Sequence, residues 1–393
     1  MPFLFPFEPN WNNSFRVELA YKTEIITSRA FREQRITQRT QPRKNVSFTI
    51  TPRRGRLATF LDDMAARQQA DHVVVEPTRW FTTSLESLAG TNTMTAAGVA
   101  MPAWVAAGAY LVVVGTAGQE MVQVVNVTGM EIVLDEPLGA DVLAGSRVYP
   151  GLVGRFDQSL RGQLFTNTVG QFSVAFNADP GLNVYEAEVA APATFNGREL
   201  FLESPNWRSP LALTLEGLLE TTDYGRGRVE HHSPVAFNRL GLRLDFLGRS
   251  PASVESLVQF FHRMKGQQGE FYMPTWGDDF DLSVGCVGGA TALNVPGGTV
   301  AALHGASTVY KAAIAFFADG SYQANRIVSL AAVSGQSRFT FATPWAQAVN
   351  DSTVRIMCWL PVWRLAVDTM TLDWPTNMVA TTQLSAQTLE DLT

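Results

Sequence analysis

Three clusters in this 393-residue chain carry side chains able to do chemistry: Asp278, Asp279 and Asp281 in TWGDDFD, the pair His231-His232, and the arginine-rich stretch FREQRITQRTQPRKN. Three close carboxylates could bind Ca²⁺ or supply an acid and a base, but the segment lacks the ligand spacing and central glycine of an EF-hand loop. The polar turn leaving a strand is the plainer reading. Adjacent histidines on a strand point to opposite faces, so His231 and His232 cannot easily chelate one metal. No His-Glu-x-x-His, P-loop or Gly-x-Ser-x-Gly motif occurs, and five histidines leave few candidates for a catalytic base. The sequence therefore points away from an enzyme, and no cofactor or metal is expected.

The arginines are different. Arg29, Arg32, Arg35, Arg39 and Arg43 recur at steps of three and four, which would line one side of a helix, although the Thr, Gln and Pro among them fit an extended loop equally well. Arg29 to Arg56 holds nine of the thirty Lys and Arg and a single acid, Glu33, so the rest of the chain is more acidic than the net charge of −6 indicates. A basic arm on an acidic body suits head-to-tail docking between copies. Phosphate binding is the competing reading, but Phe31 is the lone aromatic for base stacking, so nucleic acid is not expected as a specific ligand. A milder basic segment recurs at Arg226, Arg228, His231, His232, Arg239 and Arg243. The candidate inter-subunit contacts are accordingly Arg29, Arg32, Arg35, Arg39, Arg43, Arg226 and Arg228.

That recurrence belongs to a larger pattern. Asn10-Trp11 returns as Asn206-Trp207, Glu24 as Glu220 and Arg32 as Arg228, at an offset of about two hundred residues that drifts slowly along the chain. The apolar helical spacing of Leu57, Phe60, Leu61 and Met64 is matched by Val254, Leu257, Val258 and Phe261. Pro77, Thr78 and Trp80 correspond to Pro274, Thr275 and Trp276, Pro137 to Pro344, and Asn167 and Val169 to Asn377 and Val379. Their shared order makes the chain a tandem duplication of one β-rich unit.

Within a unit, alternation at Phe15 to Leu19 and Val46 to Ile50 gives half-buried strands, and a helix over residues 54 to 68 should pack on their sheet. The expected fold class is mainly β with a helix per repeat (α+β): a β-sandwich plus helix, with a small β-barrel inserted. The expected boundaries are 1–91 and 153–196 for the first sandwich, 92–152 for its barrel, 197–286 and 361–393 for the second sandwich, and 287–360 for its barrel.

Cys286 and Cys358 form no stapling framework and show no metal-ligand spacing. The start MPFLFPFEPN has no basic n-region, so cytosolic synthesis is expected. Ala96 to Gly115 carries no formal charge, but Gly98, Pro102 and Gly108 break it as a helix, and Leu111 to Val114 reads as a buried strand.

The segment Arg263-Met264-Lys265-Gly266-Gln267-Gln268-Gly269 followed by Phe271-Tyr272-Met273-Pro274-Thr275-Trp276, together with Ala144 to Pro150 and then Gly154-Arg155, resembles minor tail proteins of long-tailed bacteriophages, in the distal-tail and baseplate group. The resemblance covers both halves in outline, through short motifs. It implies a virion protein forming a ring at the end of the tail tube, with the tube, hub and receptor-binding fibre proteins as partners. Doubling departs from the simpler members. Three two-unit chains would offer six quasi-equivalent units, so a trimer is favoured over a hexamer. A carbohydrate-binding or depolymerising tail protein is the alternative, given nine tryptophans.

Overall fold

Apolar residues at every second position need one buried face, and the strands that result merge into one large sheet. In the strand Phe15–Ala20, Phe15, Val17 and Leu19 are buried while Arg16 faces solvent. The computed structural model describes residues 2–28, 32–183, 190–233, 235 and 237–392. With 46% strand and 9% helix, the protein is mainly β, built on a half-barrel sheet.

The first half runs β1 (Phe3–Phe5), β2 (Phe15–Ala20), β3 (Thr23–Thr27), β4 (Glu33–Thr37), β5 (Arg43–Ile50), α1 (Gly55–Arg67), β6 (His72–Val75), β7 (Phe81–Thr82), β8 (Thr93–Thr95), β9 (Tyr110–Gly115), β10 (Gly118–Thr128), β11 (Glu131–Leu134), β12 (Arg147–Phe156), β13 (Arg161–Thr166) and β14 (Val169–Ala178). The second runs β15 (Thr194–Phe195), β16 (Arg198–Leu200), β17 (Ala212–Glu216), β18 (Glu220–Thr222), β19 (Glu230–His232), β20 (Arg239–Gly248), α2 (Pro251–Met264), β21 (Phe271–Tyr272), β22 (Ala292–Pro296), α3 (Thr299–His304), β23 (Ala312–Phe317), β24 (Tyr322–Val333), β25 (Gln336–Phe341), β26 (Val354–Trp359), β27 (Val362–Leu365), β28 (Thr369–Trp374) and β29 (Ala380–Leu389).

In the first half β2 pairs with β5, β5 with β14, and β14 with both β13 and β12. From β12 the ladder continues to β6 and, in parallel, to β1. In the second half β17 pairs with β20, β20 with β29, and β29 with both β28 and β27. From β27 it continues to β21 and, in parallel, to β16. The two ladders meet where β2 pairs antiparallel with β28.

The helices close the buried face. Leu57, Phe60 and Met64 lie on one side of α1 and are buried. Helix α2 is firmly started: Pro251 needs no amide partner in the first turn, and the Ser250 side chain accepts from the Ser253 amide while the Ser253 side chain accepts from Ser250. One continuous core takes in Phe5, Phe60 and Phe176 from the first half and Leu244, Phe261 and Trp374 from the second. A single sheet turns over the helix, because the outer edge of β14 divides between β13 and β12.

Strands β8 to β11 and the start of β12 form a hydrogen-bonded circuit that β7 and the bridge Thr83↔Ala96 complete. It has its own core around Leu111, Val113 and Ile132. In the second half β22 to β26 enclose Phe339, Trp345 and Met357. Strand β12 crosses residue 152 and serves both the large sheet and the first small unit, whereas β22 to β26 form a five-stranded sheet of their own. Leu111 to Val113 are buried in β9, and no helix among the described residues is long and apolar enough to cross a membrane.

Candidate assembly interface

The junction between the halves is the most elaborately built contact in the molecule. Its ladder sets Phe15 opposite Trp374, Val17 opposite Leu372 and Leu19 opposite Met370, all buried. On the other face Arg16 Nε donates to Asp373 Oδ1 at 2.7 Å.

Beyond this ladder the β3–β4 hairpin reaches across the second half. The expected alternatives for the arginine segment, a helix face or a loop, give way to a two-stranded arm. Alternation decides which residues face inward, so Glu33, Arg35, Thr37 and Arg39 are the more buried set. Arg35 bonds the Glu270 carboxylate, and its Nη1 donates to the Gln268 carbonyl at 2.9 Å. Arg198 Nε holds the other Glu270 oxygen at 2.8 Å. The Thr23 and Gln267 amides donate to the two Asp368 oxygens at 2.7 and 2.8 Å.

Glu33 is the centre of the arm. Its Oε1 accepts from Arg239 Nη2 at 2.7 Å, and its Oε2 accepts from Arg364 Nε at 2.7 Å. The side chains of Glu33, Arg239 and Arg364 are only 2%, 9% and 6% exposed. Burial alone would push the Glu33 carboxyl up, but the hydrogen bond and charge of Arg364, with the charges of Arg239 and Arg35, hold it below its ordinary range. Burial also lowers the Arg239 guanidinium, against the pull of Glu33. Arginine is basic enough that Arg239 stays ionised at neutral pH.

The candidate arginines therefore separate. Arg32 approaches Glu390 at 3.4 Å, Arg35 is built into the junction, and Arg39 Nη1 donates to the Ala20 carbonyl at 3.3 Å within its own half. Arg43 is exposed on β5, and Arg226 and Arg228 are exposed in the loop of the β18–β19 hairpin. Arg29 lies outside the described residues. Sequence reasoning counted Glu33 only as the lone acid of a basic run. That isolation was the available signal, since one acid among nine cations is a natural hub for them.

Both ends of the row of strands are uncovered. β17 is exposed along its length, with Leu213 at 60% and Leu215 at 66%, and β13 is exposed throughout. The β18–β19 hairpin stands clear as well, with His231 and His232 on its exposed strand.

The aspartate cluster is spent on the backbone. Asp279 accepts from the Trp359 amide at 2.8 Å and from the Thr275 hydroxyl, while Asp281 accepts from the Ser283 amide at 3.0 Å. Burial pushes the Asp279 carboxyl up, against hydrogen bonds that favour its charged form. Asp279→Ala is expected to destabilise the second small unit by about 1–3 kcal/mol by orphaning the Trp359 amide. Added Ca²⁺ is expected to leave the wild-type melting curve in place; a Ca²⁺-dependent rise in melting temperature would restore the metal reading. Among the described residues no group of three or more His, Cys, Asp or Glu is placed to hold a metal ion. Cys358 is buried, and burial pushes its thiol up to about 12.

A cleft of about 950 Å³ lies between α2, the junction and the first small unit, with Trp80, Trp104 and Trp374 on its walls. An ion pair between Arg79 and Glu255 spans it. The chain matches no protein-family model and no curated protein.

Proposed function

We propose that this chain is a non-enzymatic building block of a bacteriophage tail tip. Three copies form a ring that joins the tail tube to the hub and receptor-binding fibres. In this reading the chain is a tandem duplication, each unit being a sheet and helix with an inserted small barrel. The observation that carries it is the edge-to-edge union of two halves with the same order of strand pairings, joined through β2 and β28. A unit that adds to itself in this way is suited to a ring. The tail-protein resemblance of the Pro-Thr-Trp and Ala144 to Arg155 segments supplies the biological setting. Doubling lets one face match a sixfold tube while the other presents threefold features to a hub.

Native mass measurement of the purified protein, with electron microscopy of the same sample, tests the reading. Closed particles of three chains are expected without added metal or ligand. Particles of six chains would overturn the trimer, and a monomer at all micromolar concentrations would overturn the ring.

Saccharide binding is the second reading, and it draws on the tryptophan-walled cleft alone. It requires a change in tryptophan fluorescence on titration with host surface glycans; a flat response across them removes it.

A further inference from the structure

The chain contains one completed junction and, at its two ends, both halves of a second. We infer that β17 of one chain pairs antiparallel with β13 of another copy, in the register that β2 and β28 use inside the chain. The partner of both free edges is thus this same protein, and the inference rests on the ring reading only for the number of copies.

The register follows from equivalent hydrogen bonds. The Asn10 amide donates to the Thr49 carbonyl at 2.6 Å, and the Asn206 amide to the Asp245 carbonyl at 2.7 Å, which equates Thr49 with Asp245. Stepping across the ladders then equates Val17 with Leu213 and Leu19 with Leu215. The same steps from β5 to β14 and from β20 to β29 equate Phe172 with Thr382, and so Gly162 with Leu372. The internal pairs Phe15↔Trp374, Val17↔Leu372 and Leu19↔Met370 therefore translate into Leu211↔Leu164, Leu213↔Gly162 and Leu215↔Leu160 between chains.

The side chains agree with that translation. Val17 and Leu19 are 3% and 4% exposed under β28, whereas Leu213 and Leu215 occupy the same positions uncovered. A long exposed strand with leucines on it is an aggregation hazard unless something pairs with it. Volume is exchanged across the facing edge: Gly162 lies against the Phe172 ring, which would collide with any Cβ there, whereas Leu372 faces the smaller Thr382. Total bulk is kept while its position moves one strand over.

The exposed β18–β19 hairpin then extends over the second copy as β3–β4 extends over the second half. Arg155 lies opposite Asn177 as Arg364 lies opposite Gln387, so Arg155 stands in the Arg364 position, and Arg43 stands in that of Arg239. The arm position that matches Glu33 is Val229, which carries no charge. The contact between chains consequently lacks the buried carboxylate hub and dissociates more readily than the one within a chain.

Cysteines at Thr214 and Arg161 test the register in a Cys286→Ser background. These positions sit at opposite ends of one chain's row of strands, so any disulfide between them joins two chains. Oxidation of Thr214→Cys with Arg161→Cys is expected to give covalent multimers on a denaturing non-reducing gel. Ala212→Cys with Ser159→Cys, which is out of register, is expected to stay uncrosslinked. Equal or better linkage by the offset pair overturns the inference. So does a native oligomer, or a monomer, in which the registered pair fails to link. A linked product that closes at three chains supports junction and ring together; an open ladder longer than six chains keeps the junction and removes the three-chain ring. Without the introduced cysteines, Leu213→Lys with Leu215→Lys is expected to shift native mass to the monomer with an unchanged melting temperature. Retained oligomers in that variant would also overturn the inference.

Discussion

Glu33→Ala is expected to cost about 3–5 kcal/mol of folding stability, because it leaves Arg239 and Arg364 buried without a counter-charge. Their side chains have almost no access to water that could replace the carboxylate. The comparison variant is Asp373→Ala, which breaks a pair of similar length whose side chains are 56% and 34% exposed. That loss should stay within about 1 kcal/mol, since water solvates the freed Arg16. The acid dependence has a definite sign. Because the folded-state Glu33 carboxyl lies below its ordinary value, its contribution is fully present above the unfolded-state value of about 4.3 and is lost as pH falls through the folded value. Glu33→Gln keeps the shape, removes the charge and should flatten the loss of stability on acidification. Denaturant unfolding at neutral and acidic pH measures both effects. If Glu33→Ala and Asp373→Ala proved equally mild at neutral pH, the junction would not be held by this cluster.

The contrast between these two carboxylates shows what could be read from sequence. Period-two alternation located β2 and β5, and the spacing of Leu57, Phe60 and Met64 located α1, because each depends on neighbours in the chain. The arm was ambiguous for a physical reason. Arginines at steps of three and four fit a helix, while the inward set Glu33, Arg35, Thr37 and Arg39 follows a step of two that polar residues do not advertise. Partners were out of reach, since Arg239 and Arg364 lie more than two hundred residues beyond Glu33 in the chain and meet it only through the junction. Asp278 to Asp281 drew attention as a carboxylate cluster, yet the Trp359 amide far along the chain and the Thr275 hydroxyl consume Asp279. Alternation states that one face is buried and leaves open whether a second sheet or a helix covers it.

Phe60→Ala is the complementary test, aimed at the core and not at charge. Phe60 is fully buried on α1, with ring centroids 4.7 Å from Phe172 and 5.2 Å from Phe7. Truncating it removes a large apolar surface and leaves a cavity, for a loss of about 3–5 kcal/mol. Its neighbour Leu61 is 41% exposed, and Leu61→Ala should stay within about 0.5 kcal/mol. The more informative expectation concerns where the loss is felt. The core runs without a break from Phe60 through the junction to Leu244 and Phe261, so the two halves of the sheet should open as one cooperative unit. Amide exchange in Phe60→Ala should therefore accelerate in β20 and β29 as much as in β5 and β14. Strands β22 to β26 enclose a separate core around Phe339 and Met357, and their protection should change least. Faster exchange confined to the first half would mean that the halves fold independently and that β2 and β28 merely touch. Uniform acceleration across the large sheet would instead make the junction part of the fold itself, leaving the β13 and β17 edges available for assembly.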